Sequence, residues 1–359
     1  MTLCEFPRRH LQRSAAHPEQ DVSLKWIADD DDGPSNWADL KHIDWSTFRL
    51  VLGAGGATGA AFTAGVLLAL ATDHDIKLGN ASHLVGTSAG SVIAALIAMG
   101  FDSEDLAAVV ARNPHYLSLT VGPYQLAFGD EVPPIPKLRN MVRPMGARDV
   151  VRSASLAATR QYRALWLHCV RPGTFDLSQQ LPFVPALEWP ATGRVSVCCA
   201  DNATGERVVY DRESGVDMAD AISASCAVPG VIRPVTIGDR VLVDGGIASP
   251  TNADLALEDG DGSVTVVVSP MSGTGSHSAL GRASSIFAAK RLLGEIRRSN
   301  PAGGVLLIEP AASLGALVID NALDHATTNR ILGAAFLGPA GAEITHRHIA
   351  RPERLAETV

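Results

Sequence analysis

The chain has no run of the roughly 18 to 20 apolar residues that a membrane span requires. Its five cysteines, Cys4, Cys169, Cys198, Cys199 and Cys226, are odd in number and scattered, without the paired spacing of a zinc site. They read as free thiols in a reducing compartment. A basic excess is missing too: 30 lysines and arginines stand against 38 acidic residues, for a formal net charge of -8. That balance gives no electrostatic case for nucleic acid or for a polybasic grip on anionic lipid, so any lipid contact is expected to be apolar. The opening MTLCEFPRRHLQRSAAHPEQD carries an arginine pair but is polar where an export signal needs an apolar core, and it reads as uncleaved. A cytoplasmic protein, at most peripheral to a membrane, is expected. Internal repeats and low-complexity tracts are absent as well.

What the chain has is apolar mass, 46% of 359 residues, enough for a substantial core. Residues 1–45 lack sustained periodicity, contain the acidic run Asp29 to Asp32, and are expected to form an N-terminal arm; 351–359 reads as a tail. Between them, over 46–350, apolar runs at 48–53, 82–86, 194–200, 240–244, 264–269 and 304–309 read as buried strands rich in β-branched residues. Helical patterns fall between them, at 59–71, 91–99, 102–112, 217–226 and 280–298. Strands alternating with helices imply an α/β fold: a mainly parallel sheet with helices on both faces. The stretch 113–190 is different, with many prolines and interleaved aromatics that include Tyr116, Phe128, Trp166, Phe183 and Trp189. It excludes long regular strands, and two readings stay open: a lid or substrate-contact insertion, or a structural insertion packed on the core.

Three motifs can carry chemistry. LGAGGATGA, 52–60, joins a strand to a helix, and its glycines let backbone N–H groups point into open space where a helix N-terminus favours negative charge. It fits an oxyanion hole or a phosphate cradle. A dinucleotide site competes, with Asp73 and Asp75 at the distance of a ribose-binding acid, but the glycine spacing is not that of the fingerprint. GTSAGS, 86–91, sets Ser88 between Gly86 and Gly90 on a sharp strand-to-helix turn that exposes the serine oxygen; read alone, it also fits a helix-capping serine. VLVDGG, 241–246, ends a strand on Asp244 with Gly245 and Gly246 leaving its approach open, although aspartate before glycine also caps ordinary turns.

The three together, in this order, resemble the patatin-like phospholipases, lipid acyl hydrolases with a Ser and Asp dyad. The stretch ADNATGERVVYDRESGVDMADAISASCAVPGVIRPV, 200–235, is similar to that family's linking region, and a weaker likeness extends over 319–338. The resemblance implies a three-layer α/β/α fold, Ser88 as nucleophile, Asp244 as general base, and an oxyanion hole from the amides of Ala54, Gly55 and Gly56. It implies acyl transfer on a lipid or ester substrate, transient contact with a membrane surface, and no metal or cofactor. In two places the chain departs from the family's loop: Ala54 replaces its first glycine and Thr58 its basic residue. The alternative function is a catalytically silent member that binds lipid or a partner. A Ser-Asp-His triad would need a histidine after the acid, and His277, His325, His346 and His348 all follow Asp244 without distinguishing context; His168 reads as a packed core residue. Oligomeric state is not legible.

Overall fold

The computed structural model describes residues 21–28, 33–111, 118–121, 124–127, 138–144, 146–158, 161–257, 262–299, 301, 303–339 and 344–348. Consecutive Val, Ile and Leu suit a pleat buried on both faces, and the six apolar runs become β2 (Phe48–Leu52), β3 (Ala81–Thr87), β6 (Arg194–Asp201), β9 (Arg240–Asp244), β10 (Thr265–Val268) and β11 (Val305–Pro310). Around them lie β1 (Val22–Ala28), β4 (Ser118–Val121), β5 (Tyr124–Ala127), β7 (Arg207–Tyr210), β8 (Val235–Ile237) and β12 (Ile344–His348). The helices are α1 (Gly56–His74), α2 (Ala89–Ala98), α3 (Ser103–Val110), α4 (Leu138–Met141), α5 (Ala147–Ala158), α6 (Tyr162–Cys169) and α7 (Met218–Ser225). They continue with α8 (Asp254–Leu257), α9 (Ala279–Ser299), α10 (Ala312–Asp320) and α11 (Thr328–Leu337).

Ten strands form one sheet in the order β12-β1-β11-β10-β2-β3-β6-β9-β8, with β7 beside β6, while β4 and β5 pair separately. The run β11-β10-β2-β3-β6 is parallel throughout, and antiparallel neighbours are added outside it. One face of the sheet is covered by α1, α2, α3, α7, α10 and α11, the other by α8 and α9 with α6 at the far end. The result is the mixed three-layer α/β/α architecture expected from the alternation of strands and helices.

Residues 22–28 depart from the expected arm: they form β1, antiparallel to β11 and parallel to β12. Alternation explains it, since Val22, Leu24 and Trp26 enter the larger core while Ile27 enters the opposite one, a pattern seven residues long between polar flanks. Contrary to the sequence expectation, α1 is long and apolar enough to cross a bilayer, but 61% of that window is buried and the helix packs as a core element. Within 113–190, the part from 170 onward packs on the core through Phe175, Leu177, Phe183, Val184 and Leu187. Trp166 is exposed, Trp189 donates its indole N–H to the Val216 carbonyl at 2.7 Å, and Tyr116 and Phe128 lie outside the described residues, as does the tail 351–359.

Candidate functional site

Register along β6 brings the two motifs together. Thr87, the last residue of β3, is opposite Cys198, and Asp244, the last residue of β9, is opposite Cys199. Because β7 occupies the other edge of β6 over Val197 to Ala200, β3 and β9 meet end to end along one edge. Ser88, the next residue after β3, therefore adjoins Asp244, and its hydroxyl hydrogen-bonds the Asp244 carboxylate.

Ser88 occupies a conformation that side chains rarely adopt, φ 54° and ψ -128°. Such strain persists only when the surroundings impose it, and here they do. The Ser88 N–H donates to Ser225 Oγ at 2.9 Å, Ser225 Oγ donates to the Cys198 carbonyl at 2.6 Å, and the Ser88 carbonyl accepts Ser91 Oγ at 2.6 Å. Asn252 Nδ2 donates to Thr87 Oγ1 at 3.0 Å, fixing the residue just before the turn. Gly90 is required because a Cβ there would lie 2.1 Å from the Leu52 carbonyl oxygen; Gly86 closes in the same way on Ser91. The side chain of Ser88 caps nothing, so the helix-capping reading falls.

Asp244 is almost fully enclosed. Burial lifts its carboxyl from 3.8 to about 6, while the hydrogen bonds from Ser88 and from the Gly246 N–H, the latter at 2.8 Å, oppose the rise. Gly245 turns the chain against Cys198, and Gly246 passes beside Ala54.

The glycine loop needs one correction. The Ala54 N–H donates to the Pro250 carbonyl at 2.8 Å, so this amide is committed and leaves the expected oxyanion set. Gly55 caps α1 and Gly56 opens it, and neither amide has an acceptor among the described residues. Gly56 has φ 60°, and a Cβ there would meet the Ala322 carbonyl at 2.1 Å. Thr58 is buried, donating Oγ1 to the Val318 carbonyl at 2.8 Å; where the family has a basic residue, this chain has a hydroxyl joining α1 to α10. The N-termini of α1 and α2 converge, with Gly56, Ala57, Ser88 and Ala89 all lining one cavity. Two helix ends and free amides favour an anion beside Ser88.

That cavity, about 130 Å³, runs between α2 and α3 and is walled by Val92, Leu96, Leu106, Val109, Phe183 and Ile232. Gln180 and His325 contact each other on its wall. His325 does not complete a triad, because the hydrogen bonds of Asp244 go to Ser88 and Gly246. His277 is exposed beside Asp320, His168 pairs with Asp149 at 3.7 Å, and His346 and His348 are on β12 across the sheet. Asp73 accepts the Trp37 indole N–H at 2.7 Å, which engages the acid that a ribose would need. Among the described residues, no group of three His, Cys, Asp or Glu side chains is arranged to hold a metal ion. No motif singles out Ser225, Asn252 or Pro250, since their roles depend on which segments the sheet brings together.

The family model for patatin-like phospholipases matches residues 50–257, more than half the chain and all three motifs. The chain belongs to the patatin-like phospholipase family. Uncharacterized NTE family proteins of Mycobacterium bovis and Mycobacterium tuberculosis are each 29% identical over 229 residues. Those matches take in 63% of this chain and 31% of each relative, so the chain spans about a third of their length. Among solved structures, VipD from Legionella pneumophila is 16% identical, covering 77% of this chain and 57% of its own, with a TM-score of 0.36. The type III effector protein ExoU is 14% identical, covering 82% and 61%, with a TM-score of 0.28.

Proposed function

We propose that this protein is a serine hydrolase that cleaves lipid acyl esters through an acyl-enzyme on Ser88, with Asp244 as the base. One observation carries the reading: a carboxylate lifted to about 6 accepts the Ser88 hydroxyl at the head of an apolar cavity. A carboxylate with its ordinary pKa is a poor base for serine, and each unit of upward shift narrows the mismatch by about 1.4 kcal/mol. Asp244 takes the Ser88 proton as Oγ bonds to the ester carbonyl carbon. The carbonyl electrons move onto oxygen, where the Gly55 and Gly56 amides receive them, each such donor being worth about 2.7 to 4 kcal/mol. Collapse breaks the bond to the alcohol, which leaves with the proton from Asp244. Water, deprotonated by Asp244, then hydrolyses the acyl-enzyme. The acyl chain lies between α2 and α3, and the apolar wall there is what favours a lipid ester over a polar one. The scheme calls for no metal or cofactor.

The test is a fluorophosphonate probe with mass-spectrometric mapping of the modified residue, on wild-type, Ser88→Ala and Asp244→Asn proteins. Labelling of Ser88 that is lost in both variants is expected. A folded wild-type protein that stays unlabelled would leave a binding scaffold as the reading.

A further inference from the structure

The net charge of -8 hides a strong local imbalance. Between 138 and 171 the chain carries Arg143, Arg148, Arg152, Arg163 and Arg171 among its arginines, and Asp149 as its only acid. Along α9, Arg282, Lys290, Arg291, Arg297 and Arg298 face a single acid, Glu295, which is fully buried. The exposed large apolar side chains follow the same division: among the described residues, all but Val241 and Leu337 fall at 142–166 and 280–287. Val151 and Leu280 are each 71% exposed and Tyr162 is 63% exposed.

These segments share one face. Leu167 of α6 packs on Ala200 and Val243, while Leu292 of α9 packs on the side of the sheet that carries Cys198, two residues before Ala200. The charges of Arg291 and Glu295 reach Arg163. The face also borders the candidate site. Met141 and Val170 abut Gly230, between the cavity residues Val228 and Ile232. Before α9, Ser276 Oγ and the His277 N–H donate to Asp320, two residues from the Ala322 carbonyl that presses on Gly56.

We propose that the face formed by α5, α6 and α9 is where the protein lies on a bilayer of anionic phospholipid. Arginines reach phosphate headgroups while their stems, Tyr162, Trp166 and the exposed aliphatic residues enter the headgroup-acyl boundary. A nucleic acid or an acidic protein surface would satisfy the charges but leave Val151 and Leu280 without an apolar partner. The proposal deepens the lipid-ester reading and rests on it for the choice of a bilayer.

The experiment is co-sedimentation of the full chain with vesicles of phosphatidylcholine mixed with phosphatidylglycerol, against phosphatidylcholine alone, with hydrolysis of a soluble short-chain ester by the same wild-type protein measured in parallel. Wild-type protein is expected to sediment with the anionic vesicles, less so in high salt. Arg148→Glu with Arg152→Glu should weaken this at least about tenfold, and Leu280→Ser with Phe287→Ser should weaken it severalfold, with thermal melts showing that both variants fold. Equal sedimentation with both vesicle types, no sedimentation, or wild-type binding by the arginine variant overturns the face. Loss in the arginine variant alone overturns the apolar insertion and leaves a purely electrostatic contact. Vesicle binding without ester hydrolysis would sink the hydrolase reading and leave the face standing; hydrolysis without vesicle binding would do the reverse.

Discussion

Burial lifts the Asp244 carboxyl from 3.8 to about 6, and linkage turns that shift into two opposed pH dependences. Between these values the native protein holds a proton that the unfolded chain has released. Stability therefore falls as pH rises through this window and stays lowered above it, by about 3 kcal/mol. Activity runs the other way, because the base must be ionised, so kcat/KM should fall as pH drops below about 6. Asn keeps an oxygen for the Gly246 N–H and removes the charge. Asp244→Asn should abolish hydrolysis yet melt higher than wild type at about pH 8, with the difference vanishing near pH 4. A melting difference independent of pH would mean that the carboxylate is not held against its ionisation.

Among the helices, α9 holds the loop that follows Asp244. Its Glu295 Oε2 accepts Thr251 Oγ1 at 3.1 Å and the Ala253 N–H at 3.0 Å, and Arg291 lies 3.2 Å from the other oxygen. The same loop gives Pro250, which fixes Ala54, and Asn252, which fixes Thr87. One buried carboxylate thus braces both the glycine loop and the Ser88 turn. Glu295→Ala should cost about 3 to 5 kcal/mol in denaturant unfolding, the usual cost of removing one member of a buried charged network, and should lower kcat/KM in whatever protein remains folded. A loss below about 1 kcal/mol would show the loop to be self-supporting. None of this could be read from spacing, whereas the strands themselves could. Apolar β-branched runs say that a segment is buried on both faces, which is how β2, β3, β10 and β11 were legible, but they do not give its direction. The motif places Asp244 at the end of a strand but does not say that the strand, β9, is antiparallel and meets Ser88 through its register on β6. Likewise, an alanine amide in a glycine loop looks like an oxyanion donor until the Pro250 carbonyl comes into view.

For the whole molecule, sums over the chain mislead where structure sorts residues by place, as the basic face in an acidic protein shows, and the same holds for β1. Residues 1–45 look dispensable by composition, yet β1 is the only strand joining β12 to the rest of the sheet among the described residues. Removing residues 1–28 would detach β12, open the β11 edge and delete the buried Val22, Leu24, Trp26 and Ile27. Full burial of one such side chain is worth about 1.5 to 3 kcal/mol. Four of them approach the roughly 5 to 15 kcal/mol that holds a domain folded, before the exposed edge adds its tendency to pair with another chain. A protein of residues 29–359 should therefore lose its cooperative melt or accumulate as aggregate, although Ser88, Asp244 and the cavity lie entirely within it. If it stays soluble and melts within a few degrees of the full chain, β1 is an accessory edge and the stable sheet ends at β11.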